Sequence, residues 1–429
     1  MTMLRFEKKY FIALSRKMPP LYAFIKVIWY FWLRVKRFLL NFFYFHQFKE
    51  MMSLRDFAYK HNLDIVQVFN ATKVDTPAPV IFPSEDRSEL VSPGDHYDFP
   101  SVYIAKLFGA KVYSGTNLVF LERSIICHDL YDFRYDTTSE ELHGIHQFSY
   151  DFKKMHRSNK SNLKTLNIES AAPFLDACAS NYAHWLTEVL PRIAVFCTIE
   201  QYIDVPIIVD SGLHPNIIES LELIVGLDRE IIYQEKNMAI SVKTLYMTSV
   251  TGYVPFGKRN IELESRSHGM FSPQCLELLK KKVLSYADRV SFGSEHKRIY
   301  FRRNSHSRNI VNLKEVERLI LKNGYVLINP EELSFIQQVA LINRSNAIVG
   351  TSGAAMANLI FAPSCTRCTI LISKMKDMIY WYWQNMAIST EKEVHYVLGD
   401  ADTRLDNGIN ANFKINLKDV DMALMYIKE

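Results

Sequence analysis

The sequence predicts an α/β protein whose second half is a parallel, Rossmann-like sheet. Four short apolar runs after residue 297, RIYF (298–301), YVLI (325–328), AIVG (347–350) and TILIS (369–373), read as strands. Helical stretches separate them, and strands alternating with helices at this spacing imply right-handed crossovers and a parallel sheet. Capping signals mark the helices: Asn312 with Glu315 three residues on, Gly324 as a stop, and Ser334 with Gln337 before the next helix.

The first half gives weaker signals. Residues 21–45 (LYAFIKVIWYFWLRVKRFLLNFFYF) are apolar but interrupted by Lys26, Arg34, Lys36 and Arg37, whereas a spanning helix needs about 20 largely uncharged residues. At about 100° per residue these cations fall on one side of a helix. Phe24, Ile28, Phe31, Trp32, Val35, Leu39 and Phe42 fall on the other. A basic face opposite an aromatic one is the pattern of a helix lying in a membrane surface. Upstream Arg5, Lys8, Lys9, Arg16 and Lys17 add attraction to anionic lipid. No small-residue cleavage site follows a short apolar core, so no cleaved signal peptide is expected.

Pro77, Pro79, Pro83, Pro93 and Pro100 predict irregular structure or edge strands over 75–100. Residues 111–129 alternate as strands about a Ser114-Gly115 turn, while 131–165 are polar and without period. PIIVD (206–210) is a short strand, 216–225 a helix and KTLYMTS (243–249) another strand. A helix over 273–286 leads into the second half, where 354–361 is a short helix and 417–428 a closing one. The chain thus divides into a basic amphipathic segment (1–50), an amino-terminal α/β domain (51–265) and a carboxy-terminal Rossmann-like domain (266–429).

Composition narrows the function classes. With 429 residues, 48% hydrophobic and 23% charged, the chain is of folded, globular type, which excludes a disordered or collagen-like polymer. A net charge of +5 is too small to argue for nucleic acid. Six cysteines do not make a disulfide scaffold at this length.

Two constellations could carry chemistry. Ligands of open parallel sheets sit at the carboxyl ends of the strands. There, Arg302, Arg303 and Arg308 follow the strand 298–301, and Gly350, Thr351, Ser352 and Gly353 close the strand 347–350 and open a helix at Ala354. A helix amino terminus and arginine forks both suit phosphate oxygens, so this is a candidate diphosphate site. Neither a Walker motif nor GxGxxG is present. The second constellation is NYAHWLTEVLPR (181–192). On a helix, Asn181, His184 and Glu188 share a stripe. A carboxylate four residues from a histidine raises the basicity of the imidazole, as a general base requires. Pro191 ends or kinks that helix ahead of Arg192.

Other motifs say less. Cys365-x-x-Cys368 has no second pair at zinc spacing. His143 and His146 lack a carboxylate pattern, Asp132 and Asp136 flank a loop, and GxSxG is absent. Asp95, His96, Asp129 and Asp176 stay open as alternative bases.

Together, NYAHWLTEVLPR and residues 298–363 resemble glycosyltransferase family 61, which includes plant xylosyltransferases, animal N-acetylglucosaminyltransferases and bacterial capsule or lipopolysaccharide enzymes. The first stretch is similar to the family's Asn-Tyr-x-His-Trp…Glu…Pro-Arg block. The second is similar to its strand-Arg, Arg-x-Ile, Glu-x-Leu-Ser, Gln and Ile-Val-Gly-x-x-Gly-Ala…Asn…Phe series. The likeness covers roughly residues 170–375, and this chain has Ser352 where many members place a histidine.

The resemblance implies a GT-B architecture: two Rossmann-like domains facing a cleft, here with the amphipathic helical segment ahead of them. It implies an inverting transfer of sugar from a nucleotide-sugar donor, with no cofactor and no required metal. His184, supported by Glu188, takes the catalytic role. Arg302, Arg303, Arg308 and the segment Gly350, Thr351, Ser352, Gly353 and Ala354 take the diphosphate. Glu332, Ser334 and Gln337 take the nucleoside or cap its helix, Asn358 is structural or ligand-facing, and Asn181, Trp185 and Arg192 complete the substrate-binding set.

The expected partners are a nucleotide-sugar, a glycan or lipid-linked acceptor and the membrane surface through residues 21–45, with no nucleic acid; a homo-oligomer is allowed. The expected place is the inner face of a bacterial plasma membrane, in surface polysaccharide synthesis. A pyruvyl- or phospho-transferase of capsule synthesis and a non-catalytic membrane-docking subunit are the competing readings.

Overall fold

The computed structural model describes residues 47–89, 95–132, 145–149, 151–157, 163–254, 269–287, 289, 297–364, 366–374, 381–402 and 411–428, with ten positions between 20 and 39. The second half forms a sheet in the order Val326–Ile328, Arg298–Phe301, Ala347–Thr351, Arg367–Lys374, Glu393–Ala401 and Phe413–Lys414. All neighbours are parallel except the last pair. Its strands are buried runs, such as Ile299, Tyr300 and Phe301 or Ile370 and Leu371, because helices cover both faces of a parallel sheet. The helices Leu313–Lys322, Phe335–Asn343, Trp381–Ile388 and Leu417–Lys428 and the 3₁₀ turns of Ala354–Phe361 connect or close it.

Two details depart from the sequence reading. Asn312 stands at the start of its helix without a side-chain cap bond. Its amide instead donates to the Ile415 carbonyl at 2.8 Å and accepts from the Ile415 N–H at 3.0 Å, spending its polar atoms on the chain's last strand connection. The strand Glu393–Ala401 was not expected, because a histidine and a tyrosine break its apolar run; both are fully buried.

The α/β class holds for the first half, but a second Rossmann-like sheet does not describe it. Its large sheet is mixed, in the order Ile231–Gln234, Ile207–Asp210, Lys164–Pro173, Met238–Thr248, Val102–Tyr113, Val119–Phe120, Ser124–Cys127, Lys49–Ser53, Lys154–Arg157 and His146–Phe148, with Ile65–Phe69 against Val102–Tyr113. The first four are parallel, as are Lys49–Ser53 and Ser124–Cys127. Met238–Thr248 then runs antiparallel to Val102–Tyr113 from Ala239↔Tyr113 to Thr248↔Ile104. Ser114 and Gly115 turn the chain after that strand, Gly115 at φ 77°, a value that favours glycine. Helix Pro215–Val225 makes the crossover between the parallel strands 207–210 and 231–234. The antiparallel strands need no such helix, so a doubly wound layer does not form.

The two halves interlock. The strand Val80–Phe82, from the proline-rich stretch, pairs in parallel with Glu393–Ala401 of the second sheet. Tyr182 Oη donates to Asn358 Oδ1 at 2.7 Å, and Asn358 Nδ2 to Gln338 Oε1 at 2.7 Å. Glu219 accepts from Ser334 Oγ and from the Phe335 and Ile336 N–H groups, so a carboxylate of the first half occupies a helix amino terminus of the second.

At the amino terminus the described positions between 20 and 39 are helical. Phe24, Val27, Ile28, Phe31 and Trp32 among them are at least half exposed, at 50–68%. The cations Lys26, Arg34, Lys36 and Arg37 lie outside the described residues, as do Pro93, Asp136, His143 and Cys365. Among the described residues no helix is long and apolar enough to cross a membrane.

Candidate active site

A helix in three stretches organises the site: Tyr182–His184, a π-helical Trp185–Val189 and Leu190–Phe196. The wider π turn is a feature that recurs at functional positions. The helix is anchored by its apolar side. Trp185 is wholly buried and its indole donates to Ser220 Oγ at 2.8 Å. Trp185 is therefore a core residue and not a substrate contact. Trp185→Ala is expected to cost about 3–5 kcal/mol in urea unfolding, the largest loss of any single change in this helix.

The opposite side carries the candidate acid–base pair. His184 Nδ1 lies 2.5 Å from Glu188 Oε2, and Glu188 Oε1 accepts from the Val254 N–H at 3.1 Å. Burial works to depress the imidazole. The charge and hydrogen bond of Glu188, with Asp176 nearby, outweigh it and leave His184 above its ordinary value. Burial raises the Glu188 carboxyl. With Nδ1 engaged, Nε2 is the nitrogen left to exchange a proton.

This pair lines a cavity of about 770 Å³, mouth included, whose walls also hold Asn117, His128, Tyr131, Asp176, Arg192 and Tyr253. Arg192 is committed to the fold: its Nη2 meets Asp176 Oδ2 at 3.4 Å and its Nε donates to the Glu188 carbonyl at 3.0 Å. It braces the catalytic helix. His128 and Tyr253 escaped the sequence reading. His128 follows the strand Ser124–Cys127, and its position beyond a strand end was the available signal. Of the alternative bases, Asp176 lines this cavity. Asp129 is held by the Arg55 N–H and the Tyr103 hydroxyl, and Asp95 is an exposed neighbour of His96.

A second cleft, about 1120 Å³ with its mouth, opens between the halves. Arg302, Arg303, Arg308, Thr351, Gly353 and Ala354 line it from the second half, and Ser180, Tyr182, His214 and Asn216 from the first. The three arginines are not equivalent. Arg302 is forked onto Glu317 by bonds of 2.8 and 2.9 Å, so its charge is already met. Arg303 donates to Ser307 O and Ser305 Oγ. Arg308 Nε is buried without a hydrogen-bond partner among the described residues. Burial and the neighbouring Arg308 push Arg303 down to about 10, and burial lowers Arg308 too. Arg308 also holds φ at 59°, a left-handed conformation that costs a non-glycine residue free energy and gathers at functional sites. Gly353 makes room for this cluster, since a Cβ there would stand 2.2 Å from Arg303 Nη1.

Several expected contacts are placed elsewhere by the structure. Asn181 caps the catalytic helix, accepting from the Ala183 N–H at 3.0 Å. Gly350 is strand interior, where a Cβ would strike Met356 Sδ. Ser352 Oγ accepts from the Trp383 indole at 3.1 Å. Ser334 and Gln337 form a capping box, Glu332 accepts from Asn329 Nδ2, and Asn358 is buried in the link to Tyr182. Each already has its hydrogen-bond partner within the fold, and none lines the cleft.

The profile of the family described as Glycosyltransferase 61 matches residues 182–369. That span begins at Tyr182 of the catalytic helix and includes the arginines and Gly353. No curated protein matches the chain. A histidine–carboxylate pair and a guanidinium pair without a carboxylate ion pair among the described residues both lie within that span, over which the chain is similar to glycosyltransferase family 61.

Proposed function

We propose that the chain transfers a sugar, with inversion and without a required metal, from a nucleotide-sugar in the arginine cleft to a glycan acceptor in the His184 cavity. The carrying observation is the 2.5 Å contact of His184 Nδ1 with Glu188. It holds a ring of raised basicity with Nε2 free to take the acceptor hydroxyl's proton. As that oxygen bonds to the anomeric carbon, the bond from that carbon to the phosphate oxygen breaks, and the nucleoside diphosphate leaves between Arg303 and Arg308. Two desolvated guanidiniums, in no carboxylate ion pair among the described residues, supply the charge that the departing diphosphate needs. Ser180 and Tyr182 line the arginine cleft and His184, two residues on, lines the other cavity, which supports a donor and an acceptor that meet at this end of the helix.

The exposed Phe24, Phe31 and Trp32, at described helical positions between 20 and 39, and the basic residues of the same segment support docking at a membrane surface. This fits a lipid-linked acceptor and synthesis of a surface polysaccharide, capsule or lipopolysaccharide, on the inner face of a bacterial plasma membrane.

Thermal shift against UDP, GDP, CMP and CDP and their sugars, with magnesium or with EDTA, tests the donor side. One nucleotide class is expected to raise the Tm equally in both. A ligand at about 100 times its Kd adds about 2.7 kcal/mol. A shift that needs magnesium would overturn the metal-independent reading, and no shift from folded protein would favour a docking subunit.

A further inference from the structure

A further cavity adjoins the one that holds His184. It measures about 900 Å³ with its mouth, and Thr76, His96, Tyr97, Asp98, Asp129 and Asn385 are among its walls. Tyr131 lines both spaces, so they are neighbours in the fold.

The walls of each space include a residue with a buried polar atom that has no partner among the described residues. In the adjoining cavity it is Asn385 Oδ1. Asn385 is only 2% exposed, and its Nδ2 is taken by the Gly269 carbonyl at 2.8 Å. In the His184 cavity it is Nδ1 of His128, whose ring packs 5.6 Å from Tyr131 and 4.8 Å from Tyr253. Burial pushes His128 down to about 3, so it is a neutral hydrogen-bonding group. Buried groups of this kind cost free energy unless they find a partner, and a side-chain rotation towards a ligand hydroxyl would supply one.

The surroundings narrow the ligand's class. Among the described residues that line it, the adjoining cavity has two carboxylates, Asp98 and Asp129, and neither lysine nor arginine, which favours a neutral ligand over phosphate or a uronic acid. Tyr97, Tyr131 and His96 offer ring faces, and a pocket of aromatic walls with a few convergent polar atoms suits a compact polar ligand with apolar faces. A neutral sugar ring has that form.

We propose that the acceptor is a neutral saccharide of at least two units, the unit that receives the sugar lying in the His184 cavity and the next unit in the adjoining cavity between Tyr131 and Asn385. This rests on reading the His184 cavity as the acceptor side.

The test incubates the full chain with a mixture of UDP-, GDP-, CMP- and TDP-sugars on a printed array of neutral and acidic mono- and disaccharides, with products read by mass spectrometry. Disaccharides are expected to be glycosylated at least tenfold faster than their own terminal monosaccharides. Asn385→Leu should erase that ratio while leaving monosaccharide transfer in place. The double change His96→Ala with Asp98→Ala should do the same; both side chains are exposed, so the fold is not at stake. Equal rates in the native enzyme, a preference that survives both variants, or transfer confined to acidic saccharides would overturn the proposal. Absence of transfer to any saccharide would overturn the acceptor reading itself, and the proposal with it.

Discussion

Glu188→Gln and His184→Ala are each expected to lower kcat by about 10²–10⁴-fold, the contribution of a well-placed general base, with the donor's KM little changed. The pH profile separates this from a structural loss. The base is the neutral imidazole, so turnover falls as pH drops through the His184 value. Burial pulls that value down, but Glu188 and Asp176 hold it above the ordinary 6.5, and the acid limb of kcat/KM in the native enzyme therefore lies above 6.5. In Glu188→Gln the carboxylate is gone while the burial stays, so the limb of the residual activity moves to lower pH. A limb that stays in place, or a Glu188→Gln enzyme of full turnover, would remove the pair from the mechanism.

The second large effect concerns the donor. Arg303→Ala is expected to raise the donor's KM by about 10–100-fold, the loss of a charge-assisted hydrogen bond worth about 1.5–3 kcal/mol. Gly353→Leu should act in the same direction without touching a charge, because its side chain would occupy the place of the Arg303 guanidinium. Arg308→Gly makes the sharper contrast. Glycine relieves the φ of 59°, so the Tm should hold or rise while donor binding weakens. Arg302→Ala should be the mildest of the arginine variants, since that fork already serves Glu317. Donor kinetics and thermal melts on the four proteins decide the matter; an Arg302 defect larger than that of Arg303 would reverse the assignment.

The parts of this molecule that were legible in the sequence are those specified locally. Alternating strands and helices after residue 297 announce a parallel sheet, and Ser334 and Gln337 cap a helix wherever it packs. His184 and Glu188 meet because four residues make one helical turn. Non-local pairings were not legible. The span 131–165 looks featureless because its strands, His146–Phe148 and Lys154–Arg157, belong to an antiparallel edge. The role of Arg302 depends on Glu317, fifteen residues away, and the adjacent Arg303, of the same chemistry, bonds to Ser305 and Ser307 and to no carboxylate among the described residues. His128 and Asn385 stand out because one polar atom of each has no partner among the described residues, which a sequence does not record.

The strand Val80–Phe82 has a consequence for how such enzymes can be recombined. It lies early in the chain, yet it extends the sheet that contains the donor arginines' strand. Its neighbourhood is fastened there by Lys374 with Asp86, Gln384 with the Pro77 carbonyl and Tyr97 with Ser389. Exchanging everything before residue 266 for the corresponding part of another transferase would strip a border strand from a sheet that was meant to be kept, leaving the flank of Glu393–Ala401 open to pairing with other molecules. A chimera that grafts a new acceptor specificity must carry residues 77–97 with the second half, although the chain order assigns them to the first.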